Sequence, residues 1–301
     1  MSAAFSVVIP AYNYAHCLER AVKSVLAQDY PHFEVLVIDD GSTDNTLEVM
    51  ERLVSESAGP LRCLTQRNRG PAATRARGVE ETSNEWLIFL DADDELCAGA
   101  LSAFASSVQA HPQAKVVIAG HYALTEGKVV PVPPGPVGDD QERNFALYLN
   151  KKIQFSNGAS AIHREAFATV DFREELRHTE DMPVFAHLLA CYTAVALPEP
   201  LLNVHKHPGS RRNDLQAALS VGMALEQQIF ENNGLPSWAM AYRKPYRARR
   251  ALSLLKLADR GGWPDLVQRF YFQALRAAPG LALRPRYVRR LIASLFKKGA
   301  A

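Results

Sequence analysis

The tetrapeptide Asp91-Ala92-Asp93-Asp94 closes an apolar run at 86–90 and packs three carboxylates into four residues. Such a cluster repels itself unless a cation stands among it. Hard oxygen donors suit Mg2+ or Mn2+, which commonly take one or two carboxylates together with phosphate oxygens and waters. An acidic turn that caps the next helix is the alternative reading. A second acidic turn, Asp39-Asp40-Gly41-Ser42-Thr43-Asp44, follows the apolar run 33–38. Its carboxylates suit hydrogen bonds from a base N–H or a ribose hydroxyl, as acids after strands do in other nucleotide folds. Taken alone, a turn leading into a helix cap is the better reading.

The elements that must position these groups alternate between strand and helix. Runs at 5–10, 33–38, 61–65, 86–90 and 115–119 read as strands, and 17–27, 45–55, 72–81 and 100–109 as helices with apolar residues at helical spacing. Ser42 or Thr43 is placed to cap the helix 45–55. This rhythm predicts an α/β fold, a mostly parallel sheet covered by helices on both faces. Ligands in such sheets bind at the carboxyl ends of the strands, which is where residues 11–13, 39–43, 68–70 and 91–94 fall. A Pro- and Gly-rich stretch at 131–140 marks a loop, and a second, mixed lobe follows with a strand candidate at 156–162 and a further segment at 179–189. From about residue 214 only helical periodicity remains. The expected division is 1–130, 131–210 and a helical, basic extension at 211–301.

Composition excludes several classes. The chain has 301 residues, 48% of them hydrophobic and 22% charged, as in a globular protein with a real core. Its apolar runs are too short to span a bilayer, and no basic region precedes an N-terminal apolar stretch, so a cytoplasmic location is expected. The four cysteines, 17, 63, 97 and 191, show neither zinc nor disulfide spacing. A net charge of +2 conceals an asymmetry: of 34 Lys and Arg, 15 lie in 242–301, beside only 2 of the 32 acids. An acidic body with a basic tail suits contact with an anionic membrane surface. A helix from Tyr287 would group Tyr287, Leu291, Ser294, Leu295 and Lys298 on one side, adjoined by Val288, Ile292 and Phe296. The tail lacks the stacking aromatics of single-strand binders, so no nucleic-acid partner is expected.

Four segments taken together are more specific than any one: Val8-Ile9-Pro10-Ala11-Tyr12-Asn13, Val37 to Asp44, Asn68-Arg69-Gly70 with Arg75, and Leu90 to Asp94. Their order and spacing resemble the family 2 glycosyltransferases, whose catalytic domain has the GT-A fold, over roughly residues 5–210. The resemblance implies that Pro10, Ala11, Tyr12 and Asn13 line the base pocket with Asn68 and Gly70, that Asp39 and Asp40 face the base, and that Arg75 lies near the base or diphosphate. It makes Asp91 and Asp93 the DxD pair around Ala92, with Asp94 a further ligand for Mn2+ or Mg2+. Glu180-Asp181 resembles the family's acidic pair, with Asp181 as general base; charges at a helix N-terminus are the other reading of that pair. His207 and His205 compete for the position that reaches the metal or diphosphate. His207 has the better spacing to Ser210, and His205 better fits the place just after a strand.

The expectation is therefore a non-processive, inverting, metal-dependent hexosyl- or deoxyhexosyltransferase. Its donor is a UDP-sugar, with dTDP-rhamnose fitting the same pocket, and its acceptor a glycan or lipid-linked precursor of lipopolysaccharide or another surface polysaccharide. The Gln-x-x-Arg-Trp motif of processive synthases is missing. A nicotinamide-dependent dehydrogenase would need a glycine-rich turn after the first strand, and residues 10–14 contain no glycine. A catalytically inactive nucleotide-sugar- or glycan-binding relative is the alternative.

Overall fold

Strands that are covered on both faces are largely apolar, and the first four are so except for Ser6, Glu34, Asp39 and, on the sheet-edge strand, Arg62 and Thr65. The four are β1 (Phe5–Ala11), β2 (Phe33–Asp39), β3 (Leu61–Thr65) and β4 (Trp86–Phe89). In the computed structural model, which describes residues 2–125, 127–170, 172, 179–206, 215–231 and 234–296, they pair in parallel in the order β3-β2-β1-β4. The helices α1 (Leu18–Leu26), α2 (Thr46–Glu56) and α3 (Pro71–Glu81) make the crossovers, and α4 (Ala100–Ala110) follows β4. Side chains alternate between faces. Phe5, Val7 and Ile9 join Leu18, Val22, Met50, Leu101 and Phe104 in the main core. Val8 points to the opposite face, so close to α3 that a Cβ on Gly78 would stand 2.4 Å from its Cγ1. Glycine there lets the helix lie directly on the sheet.

The rest of the sheet brings in the antiparallel pairs. Beyond β4 run β8 (Ser160–His163), β6 (Val116–Thr125), β9 (Ala194–His205) and β5 (Glu95–Leu96), with β7 (Lys128–Val132) hairpinned onto β6. Pairs β4·β8, β6·β8, β6·β7 and β5·β9 are antiparallel, and only β6·β9 is parallel. The sheet is thus mixed, purely parallel only where helical crossovers connect neighbours. The strand expected at 115–119 is β6, which runs on to Thr125, where Gly127 at φ +70° turns the chain back into β7. Helices lie on both sides, with α5 (Gln141–Leu149) and α6 (Asp181–Cys191) in the second half. Asp140 caps α5 by accepting from Arg143 N at 2.9 Å. Neither Ser42 nor Thr43 caps α2. Asp44 takes that part, accepting from Thr46 N at 3.1 Å.

The chain divides into two compact units, one of 1–175 with 184–207 and one of 176–183 with 208–301. In the second, α7 (Leu215–Val221), α8 (Ala224–Phe230), α9 (Arg243–Arg260), α10 (Pro264–Ala277), α11 (Pro279–Ala282) and α12 (Pro285–Leu295) succeed one another. Leu252, Leu255, Val267, Phe270, Tyr271, Ala274 and Tyr287 form its own apolar core. Among the described residues no helix is long and apolar enough to cross a membrane.

Candidate active site

Each parallel strand delivers its loop to the same carboxyl edge, and the loops are stitched to one another. After β1, Asn13 adopts φ 60°. Its N–H donates to Ser42 Oγ at 2.8 Å, and its Oδ1 accepts from Thr43 N at 2.8 Å. Tyr14 N donates to Thr46 Oγ1 at 3.1 Å and Ala15 N to Asp44 Oδ2 at 3.2 Å. Asp39, 1% exposed, folds its carboxylate over its own turn, accepting from Gly41 N and Ser42 N at 3.2 Å. That turn needs Gly41, whose φ is +73° and whose position leaves only 2.9 Å between a built Cβ and Asn68 N.

Asp40 ties the loop after β2 to the loop after β3. Only 4% exposed, it accepts at Oδ1 from Gln66 Nε2 at 2.8 Å and Arg69 N at 2.9 Å, and at Oδ2 from Gly70 N at 2.8 Å. The two strand-end aspartates therefore spend oxygens on loop N–H groups and on Gln66, and shape the pocket edge by positioning residues 41–42 and 69–70. Gly70, at φ +93°, opens α3. One turn later Arg75, buried, donates from Nη2 to Asp91 Oδ1 at 2.8 Å. This ion pair joins α3, which follows the β3 loop, to the β4 loop and holds Asp91, whose side chain is 36% exposed, at the sheet edge. Pro10 and Ala11 lie within the parallel pairing to Ile38 and Asp39.

The acidic tetrapeptide is a turn, with Asp94 N donating to Asp91 O at 3.0 Å. Ala92 and Asp94 are buried and Asp93 is half-buried. Asp94 Oδ1 accepts from His205 N at 3.0 Å, which fastens the turn to the end of β9. On the other flank Arg20 of α1 donates from Nη2 to the Asp93 carbonyl at 2.6 Å and pairs through Nε with Glu95 Oε1 at 3.1 Å. The same Glu95 oxygen meets His205 Nε2 at 2.5 Å. Arg20, Glu95 and His205 thus brace the turn from α1 and β9. Neither Arg20 nor Glu95 stands out in the sequence, because what singles them out is the approach of α1 and β9 to one turn.

Beside this brace opens a cleft of about 500 Å3 lined by His16, Cys17, Arg20, Asp93, Leu124, Thr125, His205 and Lys206. Burial, then the neighbouring Asp93, pushes the Cys17 thiol up to about 11, so it stays protonated and unreactive at neutral pH. Among the described residues no three His, Cys, Asp or Glu side chains converge on a metal position. The oxygens present instead suit a hard cation bound by one or two carboxylates with the rest of its shell from phosphate and water. Asp93 faces the cleft, while Asp94 is buried under His205 N. His205 Nε2 is on Glu95, which leaves Nδ1 as its other ring nitrogen.

Glu180 and Asp181 belong to the second unit. Asp181 opens α6, and Thr179, at φ 60°, accepts from Met182 N at 3.2 Å. His207 lies outside the described residues.

Comparison with known proteins gives the family and the fold. The family model described as glycosyl transferase family 2 matches residues 6–170. A GalNAc(5)-diNAcBac-PP-undecaprenol β-1,3-glucosyltransferase of Campylobacter jejuni is 39% identical over 98 residues, 32% of this chain and 32% of that protein. The poly(ribitol-phosphate) β-N-acetylglucosaminyltransferase TarS of Staphylococcus aureus is 28% identical over 182 residues, 59% of this chain and 31% of TarS. The chain thus spans about a third of the length of either relative. Among solved structures, residues 1–349 of TarS with UDP-GlcNAc align over 97% of this chain and 89% of that one, with a TM-score of 0.69 and 21% identity. A mannosyltransferase of Pyrobaculum calidifontis with GDP-Man and Mn2+ aligns over 98% and 86%, with a TM-score of 0.57 and 20% identity. At those identities the likeness speaks for the fold. With more than half the chain matched by the family model and four strand-end loops knitted at one sheet edge, the chain belongs to glycosyl transferase family 2 and has its GT-A fold.

Proposed function

We propose that the protein is a non-processive, inverting glycosyltransferase. It moves a hexosyl or deoxyhexosyl group from a nucleotide-diphosphate sugar to a hydroxyl of a cell-surface glycan or lipopolysaccharide precursor. The observation that carries this reading is the joining of the β2 and β3 loops through Asp40, and of α3 to the β4 loop through the Arg75–Asp91 pair, beside a cleft into which Asp93 faces. In this reading residues 10–13, 39–40, 68–70 and 75 form the nucleotide pocket within a donor half at 1–130. Residues 131–210 complete the acceptor half, and 211–301 form the basic helical extension. UDP-sugars are the favoured donors and dTDP-rhamnose the next. The protein works from the cytoplasm, peripherally at the inner face of the membrane.

The residues divide the work. The Arg75 guanidinium fixes Asp91 and offers positive charge at the sheet edge. Arg20 and Glu95 hold the Asp93 backbone so that its carboxylate meets the cleft. Mn2+ or Mg2+ held by Asp93, with Asp91 and a histidine of the 205–207 segment, would neutralise charge at the leaving diphosphate. Asp181 accepts the acceptor's hydroxyl proton as the oxygen attacks the anomeric carbon from the face opposite the diphosphate. A carboxylate is a weak base toward an alcohol, so this transfer is late and concerted with departure.

A thermal-shift panel of UDP-, dTDP- and GDP-sugars with Mn2+ tests the donor assignment. A donor at 100 times its Kd stabilises the fold by about 2.7 kcal/mol. Stabilisation by a UDP- or dTDP-sugar supports the reading, and no shift with any nucleotide sugar would sink it.

A further inference from the structure

We propose that α12 is a docking surface for an anionic lipid bilayer, with Leu283, Ile292, Leu295 and Phe296 as its apolar contact and Arg284, Arg286 and Arg289 as its headgroup-facing cations. The expected apolar side of this helix splits in two. Tyr287 and Ser294 are buried, and Val288 and Leu291 pack against the α9–α10 core. These four anchor the helix to its own unit. Ile292, Leu295 and Phe296 stand on the adjoining edge and take no part in that core. They are 50%, 60% and 84% exposed, and Leu283, just before the helix, is 59% exposed. Three large apolar side chains on one edge of α12, with Leu283 just before it, stand exposed among the described residues and mark an interaction surface rather than the scatter normal at protein surfaces.

Charge identifies the occupant. Arg284, Arg286 and Arg289 are exposed around the apolar edge. The Arg286 guanidinium lies 4.7 Å over the Tyr287 ring, which steadies it at the flank. Only two acids occur in 242–301. Asp259 is bound by Arg290 Nε at 3.0 Å, and Asp265 sits in the first turn of α10. The surface around α12 is therefore cationic with an apolar centre. That is the pattern of a helix lying in a membrane interface, apolar groups at the acyl boundary and cations among the headgroups. A nucleic-acid partner would use the cations and leave the apolar edge idle. This inference extends the proposed function by naming the surface on which a lipid-linked acceptor is met. Its test uses neither donor nor acceptor, so its failure would leave the transfer chemistry standing.

The test is co-sedimentation of the full chain with phosphatidylcholine vesicles containing about a third phosphatidylglycerol, and with phosphatidylcholine alone, at low salt. Arg286→Gln/Arg289→Gln removes two exposed cations, and Ile292→Ser/Leu295→Ser/Phe296→Ser removes the apolar edge. Circular dichroism and the melting temperature verify that both variants fold. The wild type should partition onto the anionic vesicles and far less onto the neutral ones. Each cation near such a surface is worth about five-fold, so the double variant should bind roughly 25-fold more weakly. The triple variant should lose at least ten-fold. Absence of wild-type binding to anionic vesicles would overturn the proposal. So would binding that ignores the apolar triple variant, which is the behaviour of a plain polyanion site.

Discussion

Replacing Asp40 with Asn keeps the shape of the side chain and removes one acceptor from a site that has three donors. In the wild type Oδ1 receives Gln66 Nε2 and Arg69 N, and Oδ2 receives Gly70 N, all within 2.9 Å. The better amide orientation leaves its oxygen on the first two and turns its NH2 toward the Gly70 N–H. That buried donor then goes unsatisfied, at about 1–3 kcal/mol. The two surviving bonds become neutral instead of charge-assisted and lose roughly 1 kcal/mol each. With Asp40 4% exposed, water cannot replace the lost acceptor, so the total should be about 3–5 kcal/mol. Differential scanning calorimetry of both proteins reads this directly. At about 2–4 °C per kcal/mol for a unit of this size, the transition of the first unit should fall by about 6–20 °C. Asp40→Ala, which deletes every acceptor, should cost at least as much. A loss below about 0.5 kcal/mol in Asp40→Asn would refute the view that this carboxylate holds the β2 and β3 loops together.

Three further outcomes follow from named contacts. Gly78→Ala gains helix propensity of about 1 kcal/mol, but its Cβ would sit 2.4 Å from Val8 Cγ1. The net effect should be a destabilisation of about 1–2 kcal/mol in urea unfolding, and a more stable variant would contradict the packing of α3 on β1. His187 is 1% exposed, its Nε2 is 3.0 Å from Thr169 Oγ1, and burial holds its pKa below 6.5. Because the unfolded chain protonates first, its contribution is intact above about pH 6.5 and is lost as the pH falls below that value. Melting temperatures from pH 7.5 to 5 should therefore fall more steeply for the wild type than for His187→Gln, and parallel slopes would count against it. Asp181→Asn should lower turnover by about 10²–10⁴ with little change in donor KM; if donor binding collapses too, the residue serves the fold or the donor instead.

How far the sequence could be read follows from where its signals are local. β1 to β4 and α1 to α4 were legible because the strands leave short, mostly apolar runs, and the helices between them show one apolar side. The motif loops fell at strand ends for the same reason. β9 was hidden. Pro198 and Pro200 interrupt its pattern, and the pairing with β6 skips from Leu197 opposite Ala119 to Pro200 opposite Gly120. Such a bulge is visible only once the partner strand is known. In the antiparallel half β6 and β8 were legible at 115–119 and 156–162, but their pairing was not, and short strands such as Glu95–Leu96 carry no period. At the site, the acidic turns stood out by residue type. The duties of Asp39 and Asp40 toward backbone N–H groups did not, because a carboxylate reads alike whether it meets a ligand or a loop. The Arg20–Glu95–His205 brace joins residues more than 70 positions apart, and only the fold brings them together.

The central claim is that this cleft transfers a sugar from a nucleotide-diphosphate donor with help from a cation at Asp93. The most direct measurement is release of nucleoside diphosphate from the donor that stabilises the protein, with acceptor-bearing lipid extract, for the wild type and Asp93→Ala. Each is assayed with Mn2+ and with EDTA. The wild type should turn over in Mn2+ and lose turnover in EDTA, and Asp93→Ala should lose it under both conditions. The variant should also bind Mn2+ more weakly in the presence of donor, read by electron paramagnetic resonance. Undiminished release in EDTA, or an Asp93→Ala protein as active as the wild type, would contradict this claim.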